Sequence, residues 1–214
     1  GSQGDSSASA MSKPAANAEL TERTADSVQS VGVPVAVAAV GTHGEDLYDE
    51  AKASNWAKAR TLTDSLDKSA SELKASERSE LSGALDTLRK AVSARDRRLA
   101  LEAANRVTFI GAQLTEAYHP KMPADIVRLD CYGRELEIWA ARNDIGKLVS
   151  TRDALRGTWE AVKPNVISHG GSAAAARTDS LLARLASAKT AREYARVATP
   201  FLDAVDELEK PFEK

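Results

Sequence analysis

From Val33 onward, apolar residues recur at intervals of three and four positions, the spacing that lines one face of a helix. Ala59, Leu62, Leu66 and Leu73 form one such stripe. Leu81, Leu85, Leu88 and Val92 form the next, and Leu99, Ala103, Val107, Ile110 and Leu114 a third. Later come Leu148, Leu155, Trp159 and Val162, then Leu181, Leu182 and Leu185, then Tyr194, Val197, Phe201, Val205 and Leu208. No stretch of useful length alternates as a strand would. Start signals fall between the stripes. Pro34 and Pro123 sit where a first-turn proline is tolerated, because the missing N–H has no helical partner there. Asn55, Asp96, Asp144 and Thr190 are placed to cap the helices that follow them. The pattern predicts an all-α fold of about eight helices, with short connections that make neighbours antiparallel.

The eight helices read as one four-helix unit met twice. At an offset of 89, Pro34 meets Pro123, Gly44 meets Gly133, Leu47 meets Leu136 and Ala51 meets Ala140. Lys58, Asp64, Leu66 and Lys74 meet Lys147, Asp153, Leu155 and Lys163. The match resumes at an offset of 94, where Ser93–Arg98 lies over Ser187–Arg192, so about five residues are inserted near 164–168. The expected organisation is a tail over 1–32, a first repeat over 33–121 and a second over 122–214, the repeats packed as one compact domain. Leu62, Leu66, Leu88, Val107, Ile110, Leu136, Leu155, Trp159, Leu185, Phe201 and Val205 are expected in the core.

Composition narrows the function more than the fold. Aromatic residues are 5% of the chain, so the core must be built from Leu, Val and Ala. The net charge of −2 gives no basic excess for nucleic acid or anionic lipid. The local cluster Arg95, Arg97 and Arg98 reads as a solvated helix start. A single cysteine, Cys131, excludes an intrachain disulfide and CxxC chemistry. No apolar run reaches the roughly 18 residues needed for a membrane span. The Ser-, Ala- and Gly-rich opening suits a flexible tether, as in lipoproteins held at a cell envelope. Extracytoplasmic localisation is therefore expected; the alternative makes Met11 the native start and the protein cytoplasmic.

Chemistry-bearing residues are few. No phosphate loop, nucleophile elbow or HExxH motif occurs, and catalysis is not expected. Glu135 and Glu137, among Arg134 and Arg142, read as a solvated helix face, as do Glu72, Glu77, Glu80 and Asp86. Gly44 and Gly133 each cost a helix interior about 1 kcal/mol relative to alanine. Their equivalence predicts that the two helices bearing them cross there, closely, near a pseudo-two-fold axis. His43 and its counterpart Tyr132, with Cys131 and Asp130, would then line a ligand pocket at the crossing. His119 and Met122 flank Pro120 at a helix junction. Together with His43 they are the candidate metal or haem ligands, although no cofactor is required. His169 reads as a surface helix end.

Gly41-Thr42-His43-Gly44-Glu45-Asp46 resembles the GxHxxE signature of imelysin-like periplasmic proteins, which are also duplicated helical bundles. Asp46 stands where that signature has glutamate, and the resemblance covers these six residues. It implies an extracytoplasmic, metal-linked role. The expected function is a non-enzymatic binding or interaction module for a protein or small-molecule ligand, without nucleic acid and with a possible lipid tether. The alternative is a metal- or haem-binding periplasmic bundle using His43 or His119.

Overall fold

The computed structural model describes residues 32–214. The tail expected over 1–32 lies, as far as residue 31, outside the described residues. Eight helices follow: α1 Val35–Lys52, α2 Trp56–Ser71, α3 Ala75–Ser93, α4 Arg97–Glu116, α5 Ala124–Ala141, α6 Ile145–Ser168, α7 Ser172–Ser187 and α8 Ala191–Glu209. A single 3₁₀ turn, Lys210–Phe212, closes the chain, and no strand occurs among the described residues. The expected core is confirmed in full. Leu66, Leu88, Val107, Leu136, Leu155, Leu185, Phe201 and Val205 are completely buried, and Leu62, Ile110 and Trp159 nearly so. Residues from all eight helices join one continuous apolar cluster.

The helices start where their caps allow. The Asp96, Asp144 and Thr190 side chains accept from the backbone N–H of Leu99, Lys147 and Glu193, each at 3.1 Å. Asn55 occupies the same position before α2 but makes no such bond. Pro34 and Pro123 stand one residue earlier than expected, as the flanking residues of α1 and α5 in an extended conformation. The residues expected as an insertion, near 164–168, lie in no loop. They lengthen α6 to 24 residues, against 16 for α2, and carry Pro164 inside the helix.

Four of the connections share one backbone device. After α1, α3, α5 and α6, the first residue past the helix cap adopts a left-handed conformation, and the next one leads into the following helix. The left-handed residues are Ser54 (φ 57°), Arg95 (φ 53°), Asn143 (φ 52°) and Gly170 (φ 90°). Their successors Asn55, Asp96, Asp144 and Gly171 donate back to Glu50, Ala91, Trp139 and Val166 at 2.8–3.0 Å. Carbonyls that the helix leaves open are thereby satisfied, and the chain reverses within three residues.

Within 33–121, α1 packs on α2 and α4, and α3 packs on α2 and α4. Within 122–214, α5 packs on α6 and α8, and α7 packs on α6 and α8. The α4–α5 contact joins the two sets. The most extensive pairing is α1 with α4, where backbones come close: a Cβ on Gly111 would stand 2.7 Å from the Gly41 nitrogen.

The expected close crossing of the two glycine helices is not found. A Cβ on Gly44 would meet the Thr108 amide nitrogen at 2.8 Å and the Ala104 carbonyl at 3.2 Å, both on α4. A Cβ on Gly133 would meet Leu202 at 2.6 Å and Phe201 at 3.0 Å, both on α8. Each glycine lets its own helix seat closely on a neighbour, α1 on α4 and α5 on α8.

Candidate functional site

Helices α1 and α5 do face each other, across a cleft and through long side chains. The cleft is also bounded by α4 and α8 and has a volume of about 370 Å³. The Tyr48 hydroxyl donates to Glu137 Oε1 at 3.4 Å, and Lys52 Nζ donates to Glu137 Oε2 at 2.8 Å. The Arg134 guanidinium lies 5.0 Å over the Tyr48 ring and pairs with Asp130 at 3.2 Å. Tyr48 and Glu137 are 89 positions apart, the offset of the internal sequence match. So are Glu45 and Arg134, which feel each other's charge.

These groups are not a solvated face, as their sequence neighbourhood suggests. Arg134 and Asp130 are only 11% and 14% exposed. Burial lifts the Asp130 carboxyl above the ordinary range, Arg134 opposes that, and the charges of Asp206 and Asp49 add to it. For Arg134, burial works against the cation, but Asp130 and Glu45 outweigh it and hold the guanidinium above its usual value. Burial and Glu137 push the Tyr48 phenol well above the usual phenol range. The cleft is therefore an ionic junction between the two sets of helices, in which the buried Arg134 Nη1 has no hydrogen-bond partner among the described residues.

A second recess has different chemistry. It lies between α3, α4 and α5 and has a volume of about 550 Å³. Phe109 and Ile110 line it from α4, and Tyr132, Ile138 and Trp139 from α5. The Phe109 and Tyr132 rings meet edge to face at 5.8 Å. On α5, Tyr132 and Trp139 occupy the face away from Asp130 and Arg134. Three carboxylates, Glu80, Glu102 and Glu135, and one guanidinium, Arg106, sit around the apolar wall. Glu102 pairs with Arg142 at 3.0 Å, and Glu135 accepts from Thr151 at 3.0 Å. Burial raises the Glu135 carboxyl above its usual value, with Thr151 opposing.

Asn105 also lines this recess and is only 3% exposed. Its amide nitrogen donates to the Cys131 carbonyl at 2.9 Å. That bond fixes which way the amide faces. Its Oδ1 is wholly buried and has no hydrogen-bond partner among the described residues. An unsatisfied buried acceptor costs about 1–3 kcal/mol. Such a group in the wall of a concave, aromatic-lined recess makes the recess a candidate ligand site.

The residues expected to form one pocket are divided. Asp130 lines the ionic cleft and Tyr132 the aromatic groove. Cys131 is completely buried, and burial pushes its thiol well above the usual value. His43 is buried on α1, 4% exposed, and lines neither recess. His119 is exposed at a left-handed position of the α4–α5 connection, whereas Met122 is buried in the core. Among the described residues, no group of three or more His, Cys, Asp or Glu side chains is placed to hold a metal ion. His169 ends α6 as expected, exposed and stacked at 4.7 Å on Phe212.

Asn105 and Tyr48 were not candidates from the sequence, because one asparagine or tyrosine on an amphipathic helix carries no signature. For Tyr48 a signal existed: the 89-residue offset places it opposite Glu137. No family profile matches the chain, and no curated protein or solved structure matches it either. No described helix is long and apolar enough to cross a membrane.

Proposed function

We propose that this protein is a non-enzymatic binding module whose ligand site is the groove between α3, α4 and α5. The observation that carries the reading is Asn105: an oriented, buried amide with a free acceptor in the wall of an aromatic groove. The groove has the volume and the mostly apolar lining of small-molecule sites, with few polar groups to fix orientation. The repeated offset, the equivalent helix starts and the matching packing partners support an origin by duplication. On that view the ionic junction at Tyr48, Arg134 and Glu137 holds the two units together, while the groove binds. The Ser- and Ala-rich opening supports a tether at the outer face of a cell envelope.

The reading is tested by titrating small aromatic and aliphatic fragments into isotope-labelled protein and following its amide resonances. The Asn105 side-chain amide and the Tyr132 and Trp139 backbone amides should shift together. Fragments that perturb only residues of the ionic cleft, or none at all, would sink the assignment.

A further inference from the structure

Another recess lies where the end of α1, the start of α4 and the end of α5 meet, with a volume of about 250 Å³. Lys52, Arg97, Arg98 and Arg142 line it against one carboxylate, Glu137, while Leu101 and Ile138 supply apolar surface. Two of the cations are answered: Lys52 by Glu137 at 2.8 Å, and Arg142 by Glu102 at 3.0 Å. In the corner before α4, the charges of Arg95 and the capping carboxylate Asp96 offset one another. Arg97 and Arg98 pair with no carboxylate among the described residues. They are held in place all the same. Arg97 donates through Nε to the Lys52 carbonyl at 3.2 Å, and the Arg142 guanidinium donates to the Arg98 carbonyl at 3.0 Å. The start of α4 is thereby tied to both α1 and α5, and Arg97 and Arg98 remain exposed. The cluster that reads in the sequence as a solvated helix start thus supplies two unanswered guanidiniums to a concave, basic recess.

We propose that this recess is a second binding site, which takes the phosphate monoester group of a small molecule. It does not depend on the groove between α3, α4 and α5 being a ligand site. A guanidinium presents a fork of N–H donors that matches phosphate oxygens, and Arg97 and Arg98 bring two such forks to one recess. Their two unanswered charges match the roughly two negative charges of a phosphate monoester at neutral pH and above. A carboxylate would answer only one of them. Glu137, the one carboxylate in the lining, has its charge spent on Lys52 and on the Tyr48 hydroxyl. The organic part of the ester covers Leu101 and Ile138. The recess has room for one such group on a small body, not for a strand of nucleic acid, in keeping with the net charge of −2.

Phenyl phosphate and benzoate, titrated into isotope-labelled protein at low ionic strength and about pH 8, test this; the phosphate then carries about two charges and the carboxylate one. Phenyl phosphate should shift the Arg97 and Arg98 backbone amides and the Arg97 side-chain Nε–H, and bind roughly fivefold tighter than benzoate or better. Arg98→Ala removes an exposed side chain that makes no hydrogen bond among the described residues, and it should weaken phenyl phosphate by a factor of about five or more. Arg97→Ala with Arg98→Ala should abolish the binding. Arg184→Ala, which removes the same charge from an exposed position on α7, should leave it unchanged. Vesicles containing phosphatidic acid, whose headgroup is also a phosphate monoester, should not carry the protein upward in flotation. Equal binding of benzoate, or equal weakening by Arg184→Ala and Arg98→Ala, would reduce the effect to unspecific charge attraction and overturn the proposal. Unmoved Arg97 and Arg98 signals would also overturn it, as would full binding by the double variant. Vesicle capture that the double variant loses, without binding of phenyl phosphate, would replace the small molecule with a membrane surface.

Discussion

At the scale of single residues, two helix-interior glycines should respond oppositely to alanine. Gly83 has open space around it, and Gly83→Ala should stabilise by about 0.5–1 kcal/mol through helix propensity. Gly44→Ala gains the same propensity but drives its Cβ into the α4 backbone, and it should lose about 1–3 kcal/mol. Urea denaturation of the two variants measures the contrast, and a shared sign would break the account of α1 and α4. Arg134→Met strands Asp130 in a buried site and should cost about 3–5 kcal/mol, part of which Asp130→Asn in the same chain should restore. A loss under about 1 kcal/mol would show the pair to be solvated after all. The carboxyls at the junction also set a pH slope. Burial raises Asp130, and partial desolvation with the charge of Asp203 raises the more exposed Asp206. Each holds its proton to higher pH when folded than when unfolded, so the folded state binds more protons over that interval. Stability should then fall as pH rises from about 4 through the raised values. Asp206→Asn should flatten this slope in melting temperature; an unchanged slope would contradict the assignment.

At the scale of helices, the caps at matched positions offer a direct comparison. Asp144→Ala removes a side-chain bond to the Lys147 amide and should cost about 1 kcal/mol. Asn55→Ala, at the position 89 residues earlier, removes no such bond and should cost less, which thermal melts of the two variants can check. The helices themselves were legible in the sequence because periodicity is local. Leu62 and Leu66, or Leu155 and Trp159, declare a buried face within one or two turns. The site was not legible for the converse reason. Arg134 looks solvated beside Glu135 and Glu137, and only the arrival of α1, 85 to 89 residues away, and of α8 makes a buried junction of it. The glycines Gly44 and Gly133 announced a close approach correctly but not its partner. A missing side chain marks that something lies near and carries no trace of which helix it is.

At the scale of the whole molecule, one apolar cluster runs through all eight helices, and α4 and α5 join the two sets. Unfolding in urea should therefore be a single transition, seen alike by far-ultraviolet dichroism and by the fluorescence of variants keeping only Trp56 or only Trp159. Separate midpoints would show two independently stable halves. The left-handed corners add something for protein engineering. Only the α6–α7 corner places glycine, Gly170, at the position where a side chain strains the backbone. The other three place Ser54, Arg95 and Asn143 there. A residue with a Cβ pays about 1–2 kcal/mol for that conformation, partly offset by the greater freedom glycine loses on folding. Arg95→Gly and Ser54→Gly should each raise the melting temperature by a degree or more, Asn143→Gly by less, and Gly170→Ala should lower it. The chain thus carries its own template for thermostabilisation: three corners can be rewritten to match the fourth, without touching core, junction or groove.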